Sequence, residues 1–190
     1  FEVECTNNNI GIGFYAGLNT TGSCNIAIGM QTMQNNTCGN SNTAVGYSAG
    51  SDITSGIVNT IVGGLAADAL TTGSENVALG YKALSTATST SNNIAIGSGS
   101  LENLNYDGGS NNTAVGHNSG NDLTTGVENV LIGSLAGDAL TIGRSNVAIG
   151  YESLSSANAG DFSVAVGHSA LKEQNGASAG DNFYNTAVGY

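Results

Sequence analysis

An all-β chain wound as a parallel β-solenoid, or β-roll, of about 17-residue coils is predicted by three features of the sequence. A five-residue phrase returns at a nearly fixed step along all 190 residues, bulky apolar residues alternate with small ones inside it, and a glycine closes every copy. A period this regular marks a repeat architecture and makes the chain one repetitive segment, residues 1–190, of about eleven coils.

The phrase reads NIGIG from Asn9, NIAIG from Asn25, NTAVG from Asn42, NTIVG from Asn59, NVALG from Asn76 and NIAIG from Asn93. It goes on as NTAVG from Asn112, NVLIG from Asn129, NVAIG from Asn146, SVAVG from Ser163 and NTAVG from Asn185. The step is constant except at three places: it is one shorter between Asn9 and Asn25, two longer between Asn93 and Asn112, and five longer between Ser163 and Asn185. Its second and fourth residues are aliphatic or Thr and mostly β-branched, and the third is usually Ala, an alternation of period two that reads as strand. The fourth residue is expected to form one continuous aliphatic core: Ile28, Val45, Val62, Leu79, Ile96, Val115, Ile132, Ile149 and Val166. The closing Gly suits a bend where φ is positive or a side chain would clash. The opening Asn is expected to stack into a ladder of side-chain amides.

After the Gly, a second short segment is expected to form another strand, so that each coil holds two strands and two turns. It carries Leu or Met in some copies (Met33, Leu84, Leu101, Leu154, Leu171) and Gly or Ala in others (Gly50, Ala67, Gly120, Gly137). Where that residue is small, an aliphatic one follows three places later, at Ile53, Leu70, Leu123 and Leu140, and fills the interior from another point. Two coils of one kind followed by two of the other make a four-coil superrepeat, seen between Asn42 and Asn112. At about 4.8 Å per coil the rod is roughly 50 Å long. So thin a core favours packing several rods around an axis. The chain starts near the first phrase and stops inside the eleventh with no polar cap, so the expectation is a piece of a longer fibre or a unit that stacks.

Composition narrows the partners. Charged residues make up 9%, Pro and Trp are absent, and the net charge of -11 is set against only Lys82, Arg144 and Lys172. Such a surface repels phosphate, so nucleic acid is not expected as a partner, nor is membrane insertion, since no apolar run reaches spanning length. Cys5, Cys24 and Cys38 allow one disulfide with a spare thiol, bonds between chains, or three inert thiols.

The phrase N-x-A-[IV]-G, followed within three residues by a small residue, resembles the head repeats of trimeric autotransporter adhesins. The forms GYKAL at Gly80, GYESL at Gly150 and GHSAL at Gly167 are similar to repeats in phage and viral tail-fibre proteins. The resemblance implies a left-handed roll and a homotrimer, located outside the cell on a virion tail or a bacterial surface. It implies a structural and adhesive fibre segment that extends a receptor-binding tip toward a host glycan or receptor. The adhesin head repeat is usually shorter than the one seen in this sequence, and this chain shows no heptad stalk.

Four residue sets carry candidate chemistry. A ring follows the phrase Gly in every second coil at Phe14, Tyr47, Tyr81, His117 and Tyr151, either as a ladder for stacking on sugars or as filler between coils and chains. Asp52 with Asp68, and Asp122 with Asp138, fall at nearly matching places in adjacent coils; Ca²⁺ is the cofactor such a pair would take, although the repeated calcium-binding phrase G-G-x-G-x-D is absent. His117 and His168 share a repeat position, where three copies around an axis could meet on a metal. The turns ITSG at Ile53, LTTG at Leu70 and Leu123, and LTIG at Leu140 raise an ice-binding Thr face. No catalytic set is recognisable, so the chain is expected not to be an enzyme, with a glycan-cleaving tailspike as the catalytic alternative.

Overall fold

The structure is a computed structural model that describes residues 7–174 and 182–190. In chain order the strands are β1 (Ile10–Ile12), β2 (Ile26–Ile28), β3 (Thr43–Val45), β4 (Thr60–Val62), β5 (Val77–Leu79), β6 (Thr90–Ser91), β7 (Ile94–Ile96), β8 (Gly108–Gly109), β9 (Thr113–Val115), β10 (Val130–Ile132), β11 (Val147–Ile149), β12 (Val164–Val166) and β13 (Thr186–Val188). Eleven of them form one parallel sheet in the order β1-β2-β3-β4-β5-β7-β9-β10-β11-β12-β13; β6 and β8 make a separate two-stranded patch. Equivalent phrase positions lie on one another throughout, as in Thr43↔Thr60 and Ala44↔Ile61. The chain is a β-solenoid, and no helix among the described residues is long and apolar enough to cross a membrane.

The phrase Asn fixes the register. Asn25 through Asn146 are buried at the mouth of each strand, and their amides bond from coil to coil. Asn129 donates through Nδ2 to Asn112 Oδ1 at 3.0 Å and to the Gly143 carbonyl at 2.8 Å. Its Oδ1 accepts the Asn146 backbone N–H and the Asn146 Nδ2, both at 3.1 Å. Two donors and two acceptors are thereby used, which is the condition for burying an amide without cost. Where two extra residues enter the sixth coil, hydroxyls substitute: Asn93 Nδ2 donates to Thr90 Oγ1 at 3.1 Å, and Ser110 Oγ donates to Asn93 Oδ1 at 2.7 Å.

Because the Asn points inward, strand alternation sends the third phrase residue inward and the second and fourth outward. This reverses the expected core. Ala27, Ala44, Ile61, Ala78, Ala95, Ala114, Leu131, Ala148 and Ala165 are buried, whereas Ile28, Val45, Leu79, Ile96, Val115 and Val166 are only partly covered, and Val62, Ile132 and Ile149 are exposed. The third residue is small because it meets the large residues from the far wall.

That far wall is not a strand, contrary to expectation. In each full coil the second and fourth residues after the Gly adopt left-handed φ, as at Lys82 (56°) and Leu84 (58°), so the segment winds as consecutive turns. Its amides still reach other coils: Lys82 N–H to the Gly64 carbonyl at 3.1 Å, and Leu84 N–H to that of Ser100 at 3.0 Å. A left-handed residue costs roughly 1–2 kcal/mol, which burying a Leu side chain, about 2 kcal/mol, offsets. Met33, Leu84, Leu101 and Leu154 are such residues, each fully buried.

Filling of the interior alternates as expected. Ile53, Leu70, Leu123 and Leu140 are fully buried where the left-handed residue is small. A Cβ on Gly120 would stand 2.7 Å from Leu131 Cδ1 and 3.0 Å from Leu101 Cδ2, so this Gly makes room for the one large strand residue nearby. The phrase Gly has both reasons to be Gly. At Gly80 φ is 141°, and a Cβ would lie 2.5 Å from the Gly97 carbonyl oxygen.

Replacing Asn129 with Leu strands the Gly143 carbonyl and the Asn146 donors and should lower the unfolding free energy by about 3 kcal/mol or more. Asn35→Ala, on the exposed surface, should change it by less than about 0.5 kcal/mol; denaturant unfolding of both variants checks the ladder.

Candidate functional site

The outward side of the eleven-stranded sheet is the candidate site, and half of it consists of residues that hydrophobicity alone assigns to the core. Its two rows run from Ile10 to Thr186 and from Ile12 to Val188, one residue of each per coil, in unbroken register. Rows stand about 6.7 Å apart with about 4.8 Å between coils, giving a strip roughly 48 Å long. Every member is Ile, Val, Leu or Thr. Ile10, Val62, Ile94, Ile132 and Ile149 are 37–40% exposed. An apolar strip of this extent makes the face a candidate interaction surface.

Beside this face, just past each phrase Gly, runs the column of rings. Phe14, Tyr47, Tyr81, His117 and Tyr151 are all exposed, and each lies two strands from the next in the sheet. Between them stand Met30, Gly64, Ser98 and Ser134. The Tyr81 ring leans over Gly64, its Cδ2 3.7 Å from where a Cβ would be. At the last three coils the pattern tightens: Tyr151 packs on His168 at 5.2 Å between centroids, and His168 stacks on Tyr190 at 4.9 Å. Phe162 and Tyr184 form another stack at 5.2 Å, in the column that precedes the phrase. His168 is thus held between rings, with Nδ1 3.0 Å from Ser169 Oγ, and His117 stands exposed three coils away.

The acidic residues come together only in pairs. The Asp52 backbone N–H donates to the Asp68 carbonyl at 3.0 Å, and that of Asp122 to the Asp138 carbonyl at 2.9 Å. Asp52 and Asp122 are exposed, each near an Asn from the preceding coil, Asn35 at 3.0 Å and Asn103 at 3.5 Å. Asp68 and Asp138 are half-buried, and Oδ1 of each is buried without a hydrogen-bond partner. Burial raises the pKa of both carboxyls above the ordinary carboxylate value, with Asp52 adding to the effect at Asp68, and Asp122 and Glu152 at Asp138. No group of three or more His, Cys, Asp or Glu that could hold a metal occurs among the described residues.

The three cations are committed to other coils. Lys82 pairs with Glu102 at 3.3 Å, Arg144 with Asp161 at 2.7 Å and Lys172 with Glu152 at 2.6 Å. The turn threonines are committed too: Thr54, Thr71, Thr124 and Thr141 donate through Oγ1 to the next coil's backbone at 2.6–3.1 Å. Their hydroxyls serve coil stacking, while Thr72 and Thr125, the second threonines of the two LTTG turns, are exposed. Cys24 and Cys38 are exposed free thiols; Cys5 lies outside the described residues. The cavity between the first coils, lined by Asn9, Gly11, Ala27 and Met33 among others, has about 20 Å³, room for one water.

No protein family, curated protein or solved structure matches this chain.

Asp68 and Asp138 bind protons more tightly folded than unfolded, so their burial lowers stability at neutral pH and this loss is relieved as pH falls toward their raised pKa. Asp68→Asn with Asp138→Asn should therefore raise the melting temperature at pH 7. The gain should shrink as the pH falls toward 4, as melts of both proteins across that range would show.

Proposed function

We propose that this chain is a structural and adhesive fibre segment that packs through its outward strand face against copies of itself, three to a rod, outside a cell or on a virion. The observation that carries this reading is the aliphatic strip. An apolar side chain left in water forgoes about 25 cal/mol for each Å² that burial would remove, and this strip repeats that loss in every coil. A strip straight along the axis and one residue type deep is met best by an identical strip. Packing identical chains in parallel around an axis sets each residue beside its own copies at every level and leaves no coil uncovered.

The resemblance to tail-fibre repeats and adhesin heads supports the same reading, as does the thin interior. A rod that gains lateral partners is stiffened without a thicker core, which suits a spacer between an anchor and a distal tip that contacts a host glycan or receptor. Phage or virion tail fibre is the first assignment and bacterial surface adhesin the second. The role is mechanical and adhesive rather than catalytic.

Sedimentation of the native particle tests the proposal, with three chains expected. Val62→Glu with Ile149→Glu places carboxylates in the strip and should give folded monomers that keep the β circular dichroism spectrum. Ala114→Glu, which points inward, should unfold the coil instead. A wild-type monomer at micromolar concentration, or an outward double variant that sediments like wild type, would overturn it.

A further inference from the structure

We infer that the ring column binds an extended, neutral, β-1,4-linked polysaccharide lying along the solenoid axis. Five rings, Phe14, Tyr47, Tyr81, His117 and Tyr151, stand at the same place in every second coil. Their spacing is therefore two coils, roughly 9.6 Å. In an extended β-1,4-linked glycan each pyranose is turned over relative to the last, so the same sugar face recurs every second residue, at a repeat close to this step. One ring then falls close to each disaccharide over a few coils.

The residues between the rings support stacking. Tyr81 lies over Gly64, with its Cδ2 3.7 Å from the position a Cβ would take, so the ring rests against backbone while the residue stays 55% exposed. Tyr47 is 49% exposed; Tyr151, 46% exposed, has His168 on one side, and Lys82 Nζ stands 5.9 Å from the Tyr81 ring centroid. An aromatic face carries the negative part of its quadrupole and attracts the C–H bonds of a pyranose. Charge selects among glycans. The net charge is -11, and Lys82, Arg144 and Lys172 are each held by a carboxylate, so an anionic polysaccharide is repelled and a neutral one is not.

This deepens the adhesive reading and rests on it only for purpose, since binding along one chain's column does not require three chains. The test is depletion of the protein onto amorphous cellulose and onto chitin, with insoluble starch, an α-1,4-linked glucan that coils, as the comparison. The expected result is retention on the β-linked polymers and none on starch. Tyr47→Ala with Tyr81→Ala and Tyr151→Ala should weaken retention at least tenfold. Gly64→Tyr with Tyr81→Gly keeps the number of rings but breaks the two-coil phase, and should weaken it severalfold. Gly64 does not need positive φ, so its backbone accepts the exchange. Should that variant fail to fold, the triple alanine variant, altered only at exposed side chains, decides. Equal retention on starch, no retention on any β-linked polymer, or unchanged retention by a folded transposed or triple variant would overturn the assignment. Sedimentation reads the oligomer separately, so a trimer that ignores glycan and a monomer that binds it are distinguishable outcomes.

Discussion

The buried amide ladder is the constraint on which everything else depends. An Asn side chain is tolerated inside a solenoid only if its hydrogen-bonding positions are met, and the coils above and below meet them only when each copy sits at the same height and turn. Once Asn points inward, parity along a three-residue strand leaves no choice. The third residue lines the lumen and the second and fourth face out. The same ladder limits the lumen, because a column of amides occupies one side of it and the opposite wall can advance only as far as the third residue is small. Ser163 ends the column: its backbone N–H reaches Asn146 Oδ1 at 2.9 Å, and its hydroxyl accepts from Gln174 Nε2 at 2.8 Å.

Within that frame the interior is filled by exchange between positions. Leu131 takes the space beside Gly120 and Gly137, and Ile61 that beside Gly50. The four-coil module that results is legible in the ion pairs as well. Lys82 meets Glu102, and at the corresponding positions one module later Glu152 meets Lys172 with the signs exchanged. A contact that keeps its place while both partners change sign is held by complementarity rather than by either residue alone. Such half-exposed pairs add little stability singly.

Most of the architecture is legible in the sequence because period, parity and glycine placement are set by the backbone. The amide ladder and the swap between Leu84-type and Ile53-type filling follow from residue types alone. Which face is inside is harder to read, because both faces of the phrase are apolar. Val115 is larger and more hydrophobic than Ala114, and hydrophobicity favours burying it; the signal that decides otherwise is Asn112, two residues before Ala114 and therefore on its side of the strand. The turns of the far wall are equally hidden, because alternating left-handed residues such as Lys82 and Leu84 have no compositional mark. The ring column is visible from spacing. The three-ring stack at Tyr151, His168 and Tyr190 needs the fold, since the coil between His168 and Tyr190 is the longest in the chain and breaks the period that would align them.

The hydrogen bonds that join coils run along the axis, and this sets how such a rod bears load. Tension applied to the two ends of a single solenoid is carried by one coil's bonds at a time, so the outermost coil peels away before the next is strained, releasing about 17 residues, or roughly 56 Å of extended chain, per step. An isolated strand of this kind is a zipper rather than a cable. Shear against neighbouring strips is different: every coil along the aliphatic face resists together, and the load is divided among all of them. In the proposed lateral packing, tensile strength would therefore reside in the lateral seams and grow with overlap length, while the coils themselves set stiffness and reach.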